Sequence, residues 1–308
     1  MEIIKLSWAL IRSARPIHWV KNLAIFAPLV LTGKLLDEVY LIITFLTFIT
    51  FNLATSATYI FNDLLDVEKD KKHPNKKNRP IASGALPTEM AIATSFGLAA
   101  MSLYIASIIN ALFFWALFGY LTMQVLYSLG LKKIAVFDII IIAAGFVIRV
   151  YSGAFVIDAH LSAWFLLTVI SVALFLASGK RRSELALSPR GITRDSLNVY
   201  NKVLLNSYVT MFGNAAWISW SLYTFFESPK AEPLLYLADI SKATTISKLL
   251  MSTIPVVIFI IMRYEIVIFS DKSEAPEKVL LTDKFLIGAI TLWTVMVYYI
   301  LYGGLATI

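Results

Sequence analysis

The sequence predicts an all-α, polytopic membrane protein, and three observations carry that prediction. The 308 residues are 58% hydrophobic and 15% charged, with a mean hydropathy of +0.75, a balance far from that of water-soluble domains. Apolar runs of spanning length recur along the chain, separated by polar mouths. Lys and Arg gather in alternate mouths, the bias that orients helical membrane proteins. No cysteine is present, which excludes disulfides, thiolate metal sites and a cysteine nucleophile. The formal charge of +7 follows from the topological bias and does not point to nucleic acid.

Residues 1–15 set Ile3, Ile4, Leu6, Trp8, Leu10 and Ile11 among Lys5, Arg12 and Arg15, the pattern of an interfacial amphipathic helix. A signal peptide is not expected, because the apolar run is short and interrupted and no small-residue cleavage site follows. Arg15 to Asn22, R-P-I-H-W-V-K-N, opens a first span ending near Thr32 and Gly33. Pro16 suits a helix start and Trp19 an interface, with Lys21 and Asn22 entering the membrane mouth beside them. Further spans are expected at about 39–61, 88–109, 111–129, 134–157, 161–179, 204–226, 246–269 and 285–305, nine in all. Only a break near Asn110 divides the third from the fourth. The whole chain, 1–308, reads as one transmembrane domain without a soluble appendage. The outer loop 227–245 holds Pro229, Pro233 and a short interfacial helix at 234–237. With a cytoplasmic N-terminus, the inner segments 1–21, 62–87, 130–133, 180–203 and 263–284 carry 22 of the 27 Lys and Arg. The outer loops hold only Lys34, Lys230, Lys242 and Lys248, so the basic clusters collect on the cytoplasmic face of the cell membrane. Charged mouths at Asp63 and Lys180 lie four spans apart, which suggests two four-helix halves.

The most informative stretch runs from Tyr59 to Gly84, Y-I-F-N-D-L-L-D-V-E-K-D-K-K-H-P-N-K-K-N-R-P-I-A-S-G. It continues the second span out of the membrane. At about 100° per residue, Asp63, Asp66 and Asp70 fall within roughly 60° of one another on a helix, while Glu68 points away. Three acids on successive turns repel, so a positive partner is expected, and an all-oxygen ligand set suits Mg²⁺ shared with substrate phosphates. Lys71, Lys72, Lys76, Lys77 and Arg79 follow as the complement. A metal-diphosphate would use both halves. Read blandly, the stretch is a helix end plus a solvated basic loop.

Further along, Tyr127 to Asp138, Y-S-L-G-L-K-K-I-A-V-F-D, puts Lys132 and Lys133 in a short loop and Asp138 inside the next span. Asp138 and Arg149 share a face of that helix, about three turns apart. An ionisable residue in a span implies a cavity or a partner, so Asp138 belongs either to the site or to a structural pair with a neighbouring Lys, whereas Arg149 reads as structural. At Ser178 to Leu185, S-G-K-R-R-S-E-L, Lys180 and Glu184 share a face, and the adjacent cations form either a topological anchor or a phosphate clamp. Glu265 and Asp283 read as charge partners. His18, His73 and His160 lie too far apart for a zinc site.

The order N-D-x-x-D-x-E-x-D-x-x-H-P-x-K-x-x-R-P-I-A-S-G from Asn62, with R-P-I-H-W-V-K-N, Y-S-L-G-L-K-K, G-F-V-I-R-V, G-K-R-R-S-E-L and the R-Y to A-P-E stretch, resembles the UbiA prenyltransferase superfamily. Within it, the chain is similar to the decaprenyl-phosphate phosphoribosyltransferases. K-R-R-S-E stands where aromatic prenyltransferases carry a second Asp-rich motif. The resemblance implies a nine-helix bundle around a central cavity open to the cytoplasm. It also implies an enzyme that uses Mg²⁺, phosphoribosyl diphosphate and a polyprenyl phosphate in the membrane, for cell-envelope polysaccharide precursors. Asp63, Asp66 and Asp70 are the expected metal ligands. Lys21, Asn22, Asn62, Lys77, Arg79, Tyr127, Asp138, Lys180 and Arg181 are the expected substrate residues. Two other readings compete: prenyl transfer from a polyprenyl diphosphate to an aromatic or other acceptor, and a lipid-phosphate carrier or flippase. The latter requires a polar path across the whole membrane, and the charges here collect at one face.

Overall fold

A computed structural model describes residues 2–72, 76–187, 195–226, 246–270 and 282–303, all helical or connecting segments with no strand among them. Over the described residues each expected span is helical, the first largely as 3₁₀ helix and the one at 246–269 in two pieces. Seven helices are long and apolar enough to cross a membrane: Glu38–Leu65, Thr88–Ile109, Ala111–Leu129, Phe137–Val156, Ala163–Leu187, Leu249–Phe269 and Lys284–Tyr302. The remaining two expected spans are Pro16–Leu31, which is shorter, and Lys202–Phe226, which is longer but more polar. The segment 234–237, His73 and the A-P-E stretch lie outside the described residues. The chain divides into two compact units.

The first unit comprises residues 1–27, 37–132 and 148–159. Helix α1 (Glu2–Ala14) is amphipathic as expected: Ala9, with Leu6 and Leu10, packs on Ile60, Ile81, Leu86 and Ala91. Trp8 and Ile11 remain exposed beside exposed Lys5 and Arg12, as an in-plane helix at a membrane interface requires. Arg15 ends it in the left-handed region, φ 54°, and the chain enters a 3₁₀ helix, Pro16–Phe26, which leads into α2 (Ala27–Leu31). Helix α3 (Glu38–Leu65) begins where Asp37 accepts the N–H groups of Val39 and Tyr40. At 28 residues it is roughly 42 Å long, enough to cross a hydrocarbon core of about 30 Å and project a further two turns. Thr44, Thr47 and Thr50 donate their hydroxyls to carbonyls four residues back, so their burial leaves no unpaired donor. After Asp66 the chain resumes as α4 (Val67–Lys72). Helix α5 (Thr88–Ile109) packs along α3, where Ser95 donates to the Ala57 carbonyl. The division at Asn110 is real: its side chain accepts the N–H groups of Leu112 and Phe113 and starts α6 (Ala111–Leu129).

The second unit comprises residues 28–36, 133–147 and 160–308, so α7 (Phe137–Val156) is shared between the two. Helix α8 (Ala163–Leu187) pairs extensively with α9 (Lys202–Phe226), and α11 (Ile254–Phe269) joins both. The core there is Phe175, Val209, Tyr264, Ile268 and Leu286. The span expected at 246–269 is broken at Ser252–Thr253, between α10 (Ile246–Met251) and α11, and Trp220 donates to Thr253 Oγ1 across 3.0 Å. The last helix, α12 (Lys284–Tyr302), starts at Asp283, which accepts the Leu286 N–H and pairs with Arg263 at 2.7 Å. Of the two expected charge partners, Asp283 is one; Glu265 instead bonds Thr210. Phe96, Trp115, Val39 and Ile42 are among many large apolar side chains that remain exposed, as lipid-facing residues should.

Candidate active site

In the first unit the acidic mouth is assembled by the end of α3. Asp63 lies in its last turn, Asp66 caps it, and Asp70 follows one turn on in α4. The acids do not stand together bare. Arg79, brought back by the 3₁₀ turn Lys76–Asn78, donates from Nη1 to Asp63 Oδ1 at 2.9 Å and to Asp70 Oδ2 at 2.6 Å. Asp66 faces Lys132, whose Nζ donates at 2.8 Å and 2.9 Å to its two oxygens and at 3.3 Å to Asn62 Oδ1. Asn62 in turn donates to Asp66 Oδ2 and accepts from Ser128. Arg15 completes the set at 2.5 Å from Asp63 Oδ1, with its guanidinium over the Tyr59 ring. Three carboxylates thus meet three cations, and Asp63 and Asp70 are buried while Asp66 is partly so. The positive partner expected for the acids is present within the chain. The expected single face is divided, because Asp66 is where the helix breaks: Asp63 and Asp70 turn to Arg79, and Asp66 turns to Lys132.

The donor set is all oxygen, which fits Mg²⁺ in kind. Among the described residues, however, no three carboxylates or imidazoles converge as ready ligands, and each acid is engaged by a cation. Lys77 is exposed and in none of these pairs, which separates it from Arg79. Tyr127 is half-buried in the last turn of α6, one residue before Ser128.

Asn22, expected at the mouth, is instead wholly buried. It donates to Asn52 Oδ1 at 2.6 Å and Thr55 Oγ1 at 3.2 Å, and accepts from Arg149 Nε at 2.6 Å. Arg149 lies 5.0 Å from the Phe51 and Tyr120 ring centres and donates to the Tyr120 hydroxyl. This network fastens the 3₁₀ segment to α3, α6 and α7 inside the unit, so the expected structural role of Arg149 extends to Asn22. Lys21, next to it, is partly exposed.

In the second unit, Asp138 and Arg181 are both 0% exposed and paired at 2.7 Å. Asp138 also accepts from Ser196 at 3.1 Å and Tyr200 at 2.8 Å. The Tyr200 hydroxyl accepts the Val136 N–H, and burial, with Asp138 as acceptor, pushes the phenol up to about 12. Arg181 pairs further with Glu184, and Arg182 donates to Asn206. Arg181 is thus engaged by Asp138 and Glu184, and Asp138 takes Arg181, not a Lys, as its partner. Glu184, expected to share a face with Lys180, is reached by Arg181, three residues before it on the helix. Lys180 is partly exposed.

Sequence reasoning missed Arg15 as a site residue and placed Lys132 only in a loop. No local spacing singles out either one; the cations nearer in sequence, Lys71, Lys72 and Lys77, are exposed.

The profile of the UbiA prenyltransferase family matches residues 23–180. The chain is 36% identical over 283 residues to a decaprenyl-phosphate phosphoribosyltransferase of Mycolicibacterium smegmatis, covering 90% of this chain and 87% of that protein. It is 32% identical over 303 residues to a protein of the same name from Corynebacterium glutamicum, with 95% and 87% covered. A UbiA homologue from Archaeoglobus fulgidus, solved with DMAPP and Mg²⁺, superimposes with a TM-score of 0.69 at 17% identity over 97% of this chain and 99% of that one.

Proposed function

The chain belongs to the UbiA prenyltransferase family of membrane transferases, and from that premise we propose that it transfers 5-phosphoribose from phosphoribosyl diphosphate to a polyprenyl phosphate. The products are a polyprenylphosphoryl 5-phosphoribose and pyrophosphate, made at the cytoplasmic face of the cell membrane for envelope polysaccharide synthesis. The observation that carries this reading is the cluster of Asp63, Asp66 and Asp70 with Arg79, Lys132 and Arg15 at one mouth. It is supported by the phosphoribosyltransferase name of relatives that align over most of the chain.

In the proposed reaction the anomeric carbon–oxygen bond to the diphosphate breaks, and an oxygen of the lipid phosphate bonds to that carbon. Negative charge grows on the departing pyrophosphate, and the sugar ring becomes oxocarbenium-like. Asp63, Asp66 and Asp70 would hold Mg²⁺, which neutralises the leaving group when bound. Arg79 and Lys132 would donate to that charge, Arg79 as a fork and Lys132 as a point charge. The lipid phosphate is already an anion, so no general base is required. Lys21 is a proposed partner of a remaining phosphate, and Asn62, which donates to Asp66, would orient that carboxylate.

The second reading, transfer of a prenyl group from its diphosphate, is favoured by the Archaeoglobus homologue solved with DMAPP and Mg²⁺. It would use the same acids and cations. Purified protein supplied with polyprenyl phosphate, Mg²⁺ and either phosphoribosyl diphosphate or an isoprenyl diphosphate separates the two. A lipid product heavier by one phosphoribosyl group supports the first reading, and consumption of only the isoprenyl diphosphate overturns it.

A further inference from the structure

We propose that Arg15 is a positioning residue of this site: it locks the Asp63 carboxylate, together with Arg79, in the orientation that receives a metal-diphosphate. The inference rests on the diphosphate chemistry above but not on what the diphosphate carries. Arg15 is the junction between the interfacial helix α1 and the 3₁₀ helix that begins at Pro16. Its φ of 54° lies in the left-handed region, which costs a residue with a Cβ, and the following proline normally drives its predecessor to extended backbone. A sequence that places arginine there, where glycine or asparagine would be unstrained, retains the conformation for what the side chain does.

The guanidinium lies 2.5 Å from Asp63 Oδ1 and 5.2 Å from the centre of the Tyr59 ring, an aromatic face that fixes its direction. Arg79 donates to the same oxygen, Oδ1. Both guanidinium groups therefore fall on one oxygen of a carboxylate that is 3% exposed. Two cations on one side of a buried carboxylate fix its plane and hold Arg79 against Asp63 and Asp70 together. Arg15 acts through those two residues and is not itself placed on the reacting atoms.

The test uses the full chain in detergent, with Arg15→Gly and Arg15→Lys and magnesium pyrophosphate as the probe, followed by titration calorimetry and thermal unfolding. Glycine adopts the left-handed conformation freely and Arg79 still pairs with Asp63, so the relieved backbone offsets part of the lost ion pair and Arg15→Gly should unfold close to the wild-type temperature. It should bind magnesium pyrophosphate about ten- to a hundredfold more weakly, the size of one charge-assisted contact, with Arg15→Lys intermediate. Arg15→Gly combined with Arg79→Lys should lose less than the product of the single losses. Wild-type affinity in Arg15→Gly overturns the proposal. So does weakened binding that tracks a lowered unfolding temperature equally in both variants, which would mark a merely structural junction. Failure of the wild type to bind magnesium pyrophosphate would instead refute the functional reading itself.

Discussion

Truncating Arg181 should damage the fold and leave substrate affinity alone. Arg181 and Asp138 are fully buried and 2.7 Å apart, with Ser196 and Tyr200 donating to the same carboxylate. Arg181→Ala leaves that carboxylate charged, desolvated and without its cation. Breaking a buried pair in this way costs about 3–5 kcal/mol, a large part of a total stability on the order of 5–15 kcal/mol. By the usual scaling this lowers the unfolding temperature by on the order of 10 °C. Replacing both members, as in Asp138→Asn with Arg181→Met, should recover much of the loss, since no buried charge is stranded and Ser196 and Tyr200 still find an acceptor. Thermal unfolding of the purified single and double variants, with initial rates normalised to folded protein, measures both effects. An unchanged unfolding temperature with a donor KM raised ten- to a hundredfold would refute the reasoning and return Arg181 to the phosphate clamp expected from sequence.

Three further outcomes are expected. Asp66→Asn should cut turnover by orders of magnitude with the fold intact, and chelation of Mg²⁺ should do the same, whereas Glu68→Gln, whose exposed carboxylate pairs with Lys71, should behave as wild type when the lipid product is measured by mass spectrometry. The raised phenol of Tyr200 stabilises the folded state fully below its unfolded value near 10, and that contribution is lost as pH climbs from about 10 toward about 12; unfolding temperatures of wild type and Tyr200→Phe should converge over that window and nowhere lower. Single cysteines at Lys34 should react with an impermeant maleimide on intact cells and those at Lys76 should not, and the opposite pattern would put the site on the wrong side of the membrane for a cytoplasmic sugar diphosphate.

The spans were legible because hydropathy over some twenty residues is a property of local sequence, and even the division at Asn110 had a local cause in its cap. The acids were legible for the same reason, since helical spacing alone brings Asp63, Asp66 and Asp70 near one another. Their partners were not. Arg15 and Lys132 are 48 and 66 residues away from the carboxylates they meet, and nothing in local periodicity ranks them above Lys77. Nor does a run of three cations disclose which of them point inward: Arg181 and Arg182 are buried and Lys180, the position before them, is partly exposed. Asn22 was misplaced because a polar residue near a mouth looks the same in sequence whether it faces water or a buried arginine.

The equal number of acids and cations at the mouth, each held by the other, has a bearing on which metabolites the enzyme ignores. A bare acidic groove would capture any divalent ion, and a bare basic one any sugar phosphate in the cytoplasm. Here a newcomer must displace existing partners, taking Arg79 and Lys132 from their carboxylates while offering those carboxylates a replacement. A lone monophosphate supplies only the first half of that exchange, and a lone cation only the second. A diphosphate arriving with its metal would supply both at once, so under the proposed function the internal pairing sets a threshold that favours a metal-bound diphosphate over a monophosphate.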